Sequence, residues 1–209
     1  MLPTVVAQLL DIAGRKMSCG LRKETLAVAL DYLSLSCRSP LLQAPPPPSE
    51  SASAMRRLAQ DMEAQYQPRF SALAQDFRKH SGPDLCSSLR KVMEELVGDE
   101  HLNWGRVVSL FAFVGVLARQ LRGQTDTNPG LDLGREVAPG PVSCQALAET
   151  VADFLGGDKK EWMLENDGWE GFCKFSRTAR EVSQDSSMKT ALFAAASVGL
   201  AGLTFLLVR

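Results

Sequence analysis

Residues Arg106 to Leu121 read RVVSLFAFVGVLARQL, and this run decides the fold. At helical pitch its apolar side chains cover nearly the whole circumference, interrupted only by Ser109 and Arg119. A helix with no polar face must be enclosed by other helices, so the run predicts the central helix of a bundle. The same two interruptions argue against a membrane span. Asn103-Trp104-Gly105 stands directly in front of it. Asn103 is suited to cap the helix, its side-chain oxygen taking a free backbone N–H. Gly105 falls in the first turn, where glycine costs about 1 kcal/mol relative to alanine, and so points to a close approach by another backbone. Arg106 opens an apolar helix and needs a carboxylate. Two readings stand side by side: a carboxylate brought by a partner, or an internal one such as Glu95, with Trp104 in the core.

Outward from this run the pattern stays helical. Upstream, Leu85 to Val97 carries Leu89, Val92, Met93 and Leu96 and ends near Gly98. Before it, Met55, Leu58, Met62 and Tyr66 recur at spacings of three and four on a helix from about Ser51 to Tyr66. Pro68 interrupts it, and Phe70, Leu73 and Phe77 continue the series. Leu21 to Cys37 sets Leu26, Leu30 and Leu33 on one stripe, with Ala27, Ala29 and Tyr32 beside it. Pro40 and Pro45 to Pro48 end that helix in a polar linker over 39–50, a spacer rather than a proline-motif ligand.

Downstream, the Gly- and Pro-rich stretch Gly123 to Val142 reads as a long exposed loop. Ser143 is placed to cap a helix through Leu155, with Leu147, Val151 and Phe154 in phase, and Gly156-Gly157 stops it. Two short helical pieces follow, broken at Asn166-Asp167-Gly168, with Trp162, Trp169, Phe172 and Phe175 as apolar content. The Asn-x-Gly stop folds them back over the bundle as a hydrophobic cap. No segment alternates with a strand period, so the expected class is all-α.

The C-terminal run Ala191 to Val208, ALFAAASVGLAGLTFLLV, carries no charge. As a helix it spans roughly 27 Å, close to the hydrocarbon thickness of a bilayer. It predicts a tail anchor inserted after synthesis, with the body facing the cytosol. The expected organisation is an extension over 1–16, a helical domain over 17–180, a linker over 181–189 and the anchor over 190–209. A formal charge of −1 gives no electrostatic reason to bind nucleic acid. The five cysteines, Cys19, Cys37, Cys86, Cys144 and Cys173, are odd in number and far apart, and only His80 and His101 could join them at a metal. Reduced thiols, no structural metal and no disulfide framework are expected. The chain has no nucleophile–base pair, phosphate loop or metal cluster, so no enzyme and no cofactor is expected.

The run Leu102 to Leu117, LNWGRVVSLFAFVGVL, resembles the first homology motif of the B-cell lymphoma two (Bcl-two) family of apoptosis regulators. Trp162 to Phe175 resembles its second motif, Met55 to Met62 stands in the place of the third, and Leu21 to Leu35 in that of the fourth. The stretch from Met93 to Asp99, the WGRVVS run at Trp104 and the MKTALFAAA run at Met188 are similar to the Nrz/Boo/Diva branch. The resemblance implies a bundle of about eight helices with a surface groove that accepts death-motif helices of pro-apoptotic partners. By the same resemblance, Arg106 would meet the acidic residue of the incoming helix, and Asn103 would hydrogen-bond near it. Gly105 would let its backbone come close. Met62, Tyr66, Phe70, Leu73, Val92, Leu96 and Phe113 would line the pockets, with Glu95 and Trp104 beside them. Trp162, Asn166, Gly168, Trp169 and Phe172 form the second-motif cap.

The chain departs from the family pattern at Ala59-Gln60, where a Gly-Asp pair is usual, which leaves the third motif poor as a killing ligand. Asp167 also replaces a glycine, and Gly171 takes a usually polar place. The expected function is therefore anti-apoptotic sequestration on the mitochondrial outer membrane or endoplasmic reticulum. The alternatives are a pore-forming effector of the same fold and a regulator of an endoplasmic-reticulum calcium-release channel.

Overall fold

A computed structural model describes residues 20–38, 43–82, 84–97, 102–125 and 143–182. The extension over 1–16, most of the 123–142 loop and the run from Ala191 to Val208 lie outside the described residues. Among the described residues there are seven α-helices: α1 over 20–36, α2 Glu50–His80, α3 Leu85–Val97, α4 Trp104–Thr125, α5 Cys144–Asp153, α6 Lys160–Glu165 and α7 Gly168–Val182. A π turn, Phe154–Asp158, joins α5 to α6. No strand occurs among them.

Helix α4 is the axle. Every residue from 107 to 118 is buried, Ser109 included, because that hydroxyl donates to the Gly105 carbonyl inside the helix. α4 is the one described helix long and apolar enough to cross a bilayer, yet it is enclosed by protein. Its partners are mainly α2, with α3 and α5 on another side. Phe111 meets Tyr32 of α1 and Trp169 of α7 at ring separations of 6.0 and 6.1 Å, and Phe113 meets Phe77 of α2 at 5.9 Å. Such edge-to-face packing adds about 0.5–1.5 kcal/mol per pair beyond area burial.

Helix α2 starts at Ser49, whose hydroxyl accepts from the Ala52 N–H, and runs past the expected stop. Pro68 does not end it. The backbone departs from helical values at Tyr66 (φ −117°, ψ 21°), a kink that absorbs the missing proline N–H. Met55, Leu58 and Met62 bury before the kink, Phe70, Leu73 and Phe77 after it.

Helix α1 buries most of the stripe read from sequence, Leu33 fully and Leu26 in part, and extends the buried face to Leu21, Thr25 and Val28. Leu21, Thr25, Val28, Ala29, Tyr32 and Leu33 face inward, while Leu30 stays 38% exposed. The reason is specific bonding. Thr25 accepts from the buried Trp169 Nε1 at 3.0 Å, and the Tyr32 hydroxyl donates to Glu63 of α2, which also pairs with Arg119 of α4. Burial, then the Glu63 charge, pushes the Tyr32 phenol well above its ordinary pKa, so it stays a donor. Gly115 makes room for this cluster: a Cβ there would lie 2.8 Å from Glu63 Oε1 and 2.9 Å from Tyr32 Cε1.

Two further expectations are corrected. Gly156-Gly157 does not stop the fifth helix, which widens into the π turn. Gly156 is required because Arg22 of α1 crosses it: a Cβ would sit 2.6 Å from the Arg22 Cα. The cysteines are not all reduced thiols. Cys37 and Cys144 form a disulfide, while Cys86 and Cys173 are free. Their separation of 107 residues hides a contact made only when α1 lies beside α5.

Candidate partner-helix groove

The residues that the family resemblance would set around a groove fall on α2, α3 and α4: α2 packs chiefly on α4, and α3 touches both α4 and α5. α3 is started by Asp84, whose carboxylate accepts from the Ser87 N–H and hydroxyl. Those donors hold the Asp84 carboxyl below the usual range. The head of α4 is capped by Asn103, whose Oδ1 accepts from the Arg106 N–H at 2.9 Å. That bond fixes where α4 begins and therefore where Arg106 stands.

The structure sorts the residues singled out from sequence into two depths. Met62, Phe70, Leu73 and Phe113 are fully buried and belong to the hydrophobic core. The Met62 sulfur lies 3.2 Å from the Ser109 hydroxyl oxygen. Tyr66 and Val92 are half-buried against that core, one at the α2 kink and one on α3. Glu95 is exposed on α3, and the Leu96 side chain lies outside the described residues. Gly105 is buried in the first turn of α4, and Asn103, Trp104 and Arg106 are half-buried around it. The partly exposed members of the set are thus Tyr66 on α2, Val92 on α3, and Asn103, Trp104 and Arg106 at the head of α4.

Trp104 belongs to a ring cluster. It packs on Trp162 at 4.9 Å, Phe172 at 5.4 Å and Trp169 at 6.4 Å. Trp169 and Phe172 are core, whereas Trp162 is half-buried. The turn that delivers them is tight. Asn166 closes α6 with its side-chain amide on the Trp162 carbonyl at 2.8 Å. Asp167 (φ 60°) and Gly168 (φ 54°) then take left-handed backbone, a region asparagine, aspartate and glycine tolerate best. Gly171 follows as a necessity, since a Cβ there would overlap the Asn166 carbonyl oxygen. The second-motif aromatics thus tie the head of α4 to α6 and α7.

Sequence reasoning missed the Tyr32–Glu63–Arg119 cluster and the disulfide. A glycine in the middle of an otherwise bulky central helix, Gly115, was the available signal for the first. Among the described residues no group of three or more His, Cys, Asp or Glu could hold a metal ion.

Residues 55–169 match the family model described as apoptosis regulator proteins, Bcl-2 family. The chain belongs to the Bcl-2 family. It is 34% identical to the anti-apoptotic protein NR13 of Gallus gallus, over 92% of this chain and 99% of that one. It is 29% identical to the Bcl-2-like protein 10 of Homo sapiens, over 78% and 79%. Among solved structures it is similar to the zebrafish pro-survival protein NRZ in its complex with the Bad BH3 segment. The identity is 47% and the TM-score 0.65, covering 78% of this chain and 98% of that one. The bundle around a buried central helix is thus the fold of the Bcl-2 family, and its regulators are not enzymes.

Proposed function

We infer that this chain is an anti-apoptotic receptor that sequesters BH3 helices of pro-apoptotic proteins, Bad among them, in the cleft between α2 and α3. The observation that carries the reading is the likeness to NRZ bound to the Bad BH3 segment, over nearly the whole of that chain. The local chemistry agrees. Arg106, held at the head of α4 by the Asn103 cap, offers a guanidinium to the acidic residue of a BH3 helix. Tyr66 and Val92 offer apolar surface to its aliphatic anchors. Ala59-Gln60 in α2 leaves the chain's own third motif without the carboxylate at its usual place, the nearest being Asp61, one residue on. That favours receptor over ligand.

The test is expression in cells lacking other survival factors. Death after stress falls if the chain sequesters BH3 helices, and rises if it is an effector of the same fold. The apolar run from Ala191 to Val208 supports a further element of the reading, attachment to the mitochondrial outer membrane or the endoplasmic reticulum. Deleting residues 188–209 should release the protein from the membrane fraction. Action on a calcium-release channel rests on the family resemblance alone.

A further inference from the structure

Helix α1 lies antiparallel to α5 and is fastened at both ends. At one end Arg22 pairs with Asp153 at 2.5 Å, and the Arg22 backbone rests on Gly156. At the other, Cys37 is bonded to Cys144. Cys37 sits in the turn that closes α1, its N–H on the Leu33 carbonyl at 2.9 Å. Cys144 is the first residue of α5. Neither helix is continuous with the other, so nothing covalent except the disulfide holds this end of the seam shut.

Both bonded cysteines are half-buried, whereas the free Cys173 is buried. The bonded pair thus lies nearer to solvent than Cys173 does. The other ties on α1 are non-covalent and lie further back: Asp31 with Arg56 at 2.5 Å, and the Tyr32–Glu63–Arg119 cluster. Opening the disulfide leaves these intact and frees the last turn of α1.

We propose that Cys37–Cys144 is a redox-exchange site for glutathione, closing the α1–α5 seam when oxidised and loosening the end of α1 when reduced. The inference stands apart from the groove and its ligand. In opening, a glutathione thiolate attacks one sulfur and forms a mixed disulfide, releasing the other cysteine as a thiolate that takes a proton. A second glutathione thiolate attacks the glutathione sulfur of that mixed disulfide. Glutathione disulfide leaves, both cysteines are thiols, and two electrons have passed to the protein. Closing is the reverse, with glutathione disulfide as the oxidant.

The test takes the full chain in detergent micelles through glutathione buffers of graded reduced-to-oxidised ratio. Trapped thiols are mapped by maleimide mass shift, and amide exchange of residues 31–38 is followed in parallel. The expected result is a two-electron transition confined to Cys37 and Cys144, with exchange over 33–38 at least tenfold faster in the reduced form. Cys37→Ser should exchange like the reduced protein at every ratio, and Cys86→Ser should keep the transition. Should Cys37→Ser fold poorly, the reduced natural chain supplies the same comparison. Full alkylation of both cysteines at every ratio, a bond that no ratio opens in the folded protein, or equal exchange in the two forms would each overturn the proposal.

Discussion

Two adjacent glycines that look alike in sequence should behave oppositely when each is replaced by alanine. At Gly156 a methyl group would meet the Arg22 backbone, 2.6 Å from Cα and 3.0 Å from N, and neither atom can rotate away. The first turn of α1 must lift by most of an ångström. That turn holds Leu21, 6% exposed, and Thr25, the partner of Trp169. Overpacking costs about 1–3 kcal/mol. Partial loss of a buried leucine, worth about 1.5–3 kcal/mol when complete, and of a hydrogen bond worth about 1 kcal/mol adds to it. A total of about 2–4 kcal/mol follows. At roughly 2–4 °C per kcal/mol for a domain of this size, Tm falls by about 5–15 °C. At Gly157 a methyl group meets nothing within 4 Å. There alanine is neutral, or stabilising by about 0.4–1 kcal/mol through the unfolded chain. Thermal unfolding of both variants by circular dichroism decides it. Equal midpoints, or an unshifted Gly156→Ala, would show that α1 does not cross the π turn as described.

Arg106→Ala should weaken binding of a Bad BH3 peptide by about 2–5 kcal/mol, and an unchanged Kd by calorimetry would remove Arg106 from the site. In the reduced, folded protein Cys86 should be alkylated before Cys173, because burial pushes the Cys173 thiol up; timed iodoacetamide labelling read by mass spectrometry checks the order. The Asp84 carboxyl is held below its usual range by Ser87, so the cap it gives α3 is present above the ordinary carboxylate pKa. It is lost as pH falls through the lowered folded value. Asp84→Ala should therefore be less stable than the natural chain near neutrality and converge with it in acid. A stability difference that does not change with pH would contradict this.

Much of the architecture was legible because a few segments admit one physical solution. A run as uniformly apolar as Val107 to Ala118 has to be enclosed, and it is. Asn103 and Ser143 sit where free N–H groups need acceptors, and both cap their helices. Other features were hidden by their nature. In α1, Leu33 is buried as its stripe predicts, but Leu30 turns outward while Leu21, Val28 and Tyr32 turn in. The choice between them is made by Trp169 and Glu63, which lie elsewhere in the chain. Pro68 looks like a stop, but a kink at Tyr66 accommodates it because α4 continues to support both halves of α2. Of the candidate groove residues, Tyr66, Val92, Asn103 and Arg106 are half-buried, whereas Met62, Phe70, Leu73 and Phe113 are fully buried, a distinction of depth that hydrophobicity cannot carry. The Cys37–Cys144 pairing joins residues too distant for any local pattern.

The chain's three tryptophans, Trp104, Trp162 and Trp169, all belong to one aromatic cluster beside the head of α4. Its intrinsic ultraviolet emission is therefore a local signal, with excitation passing readily among rings that touch. A peptide arriving next to Arg106 should change the colour of that light with no dye attached. Fraying at the Cys37–Cys144 end of α1 should leave it dark to the fluorimeter.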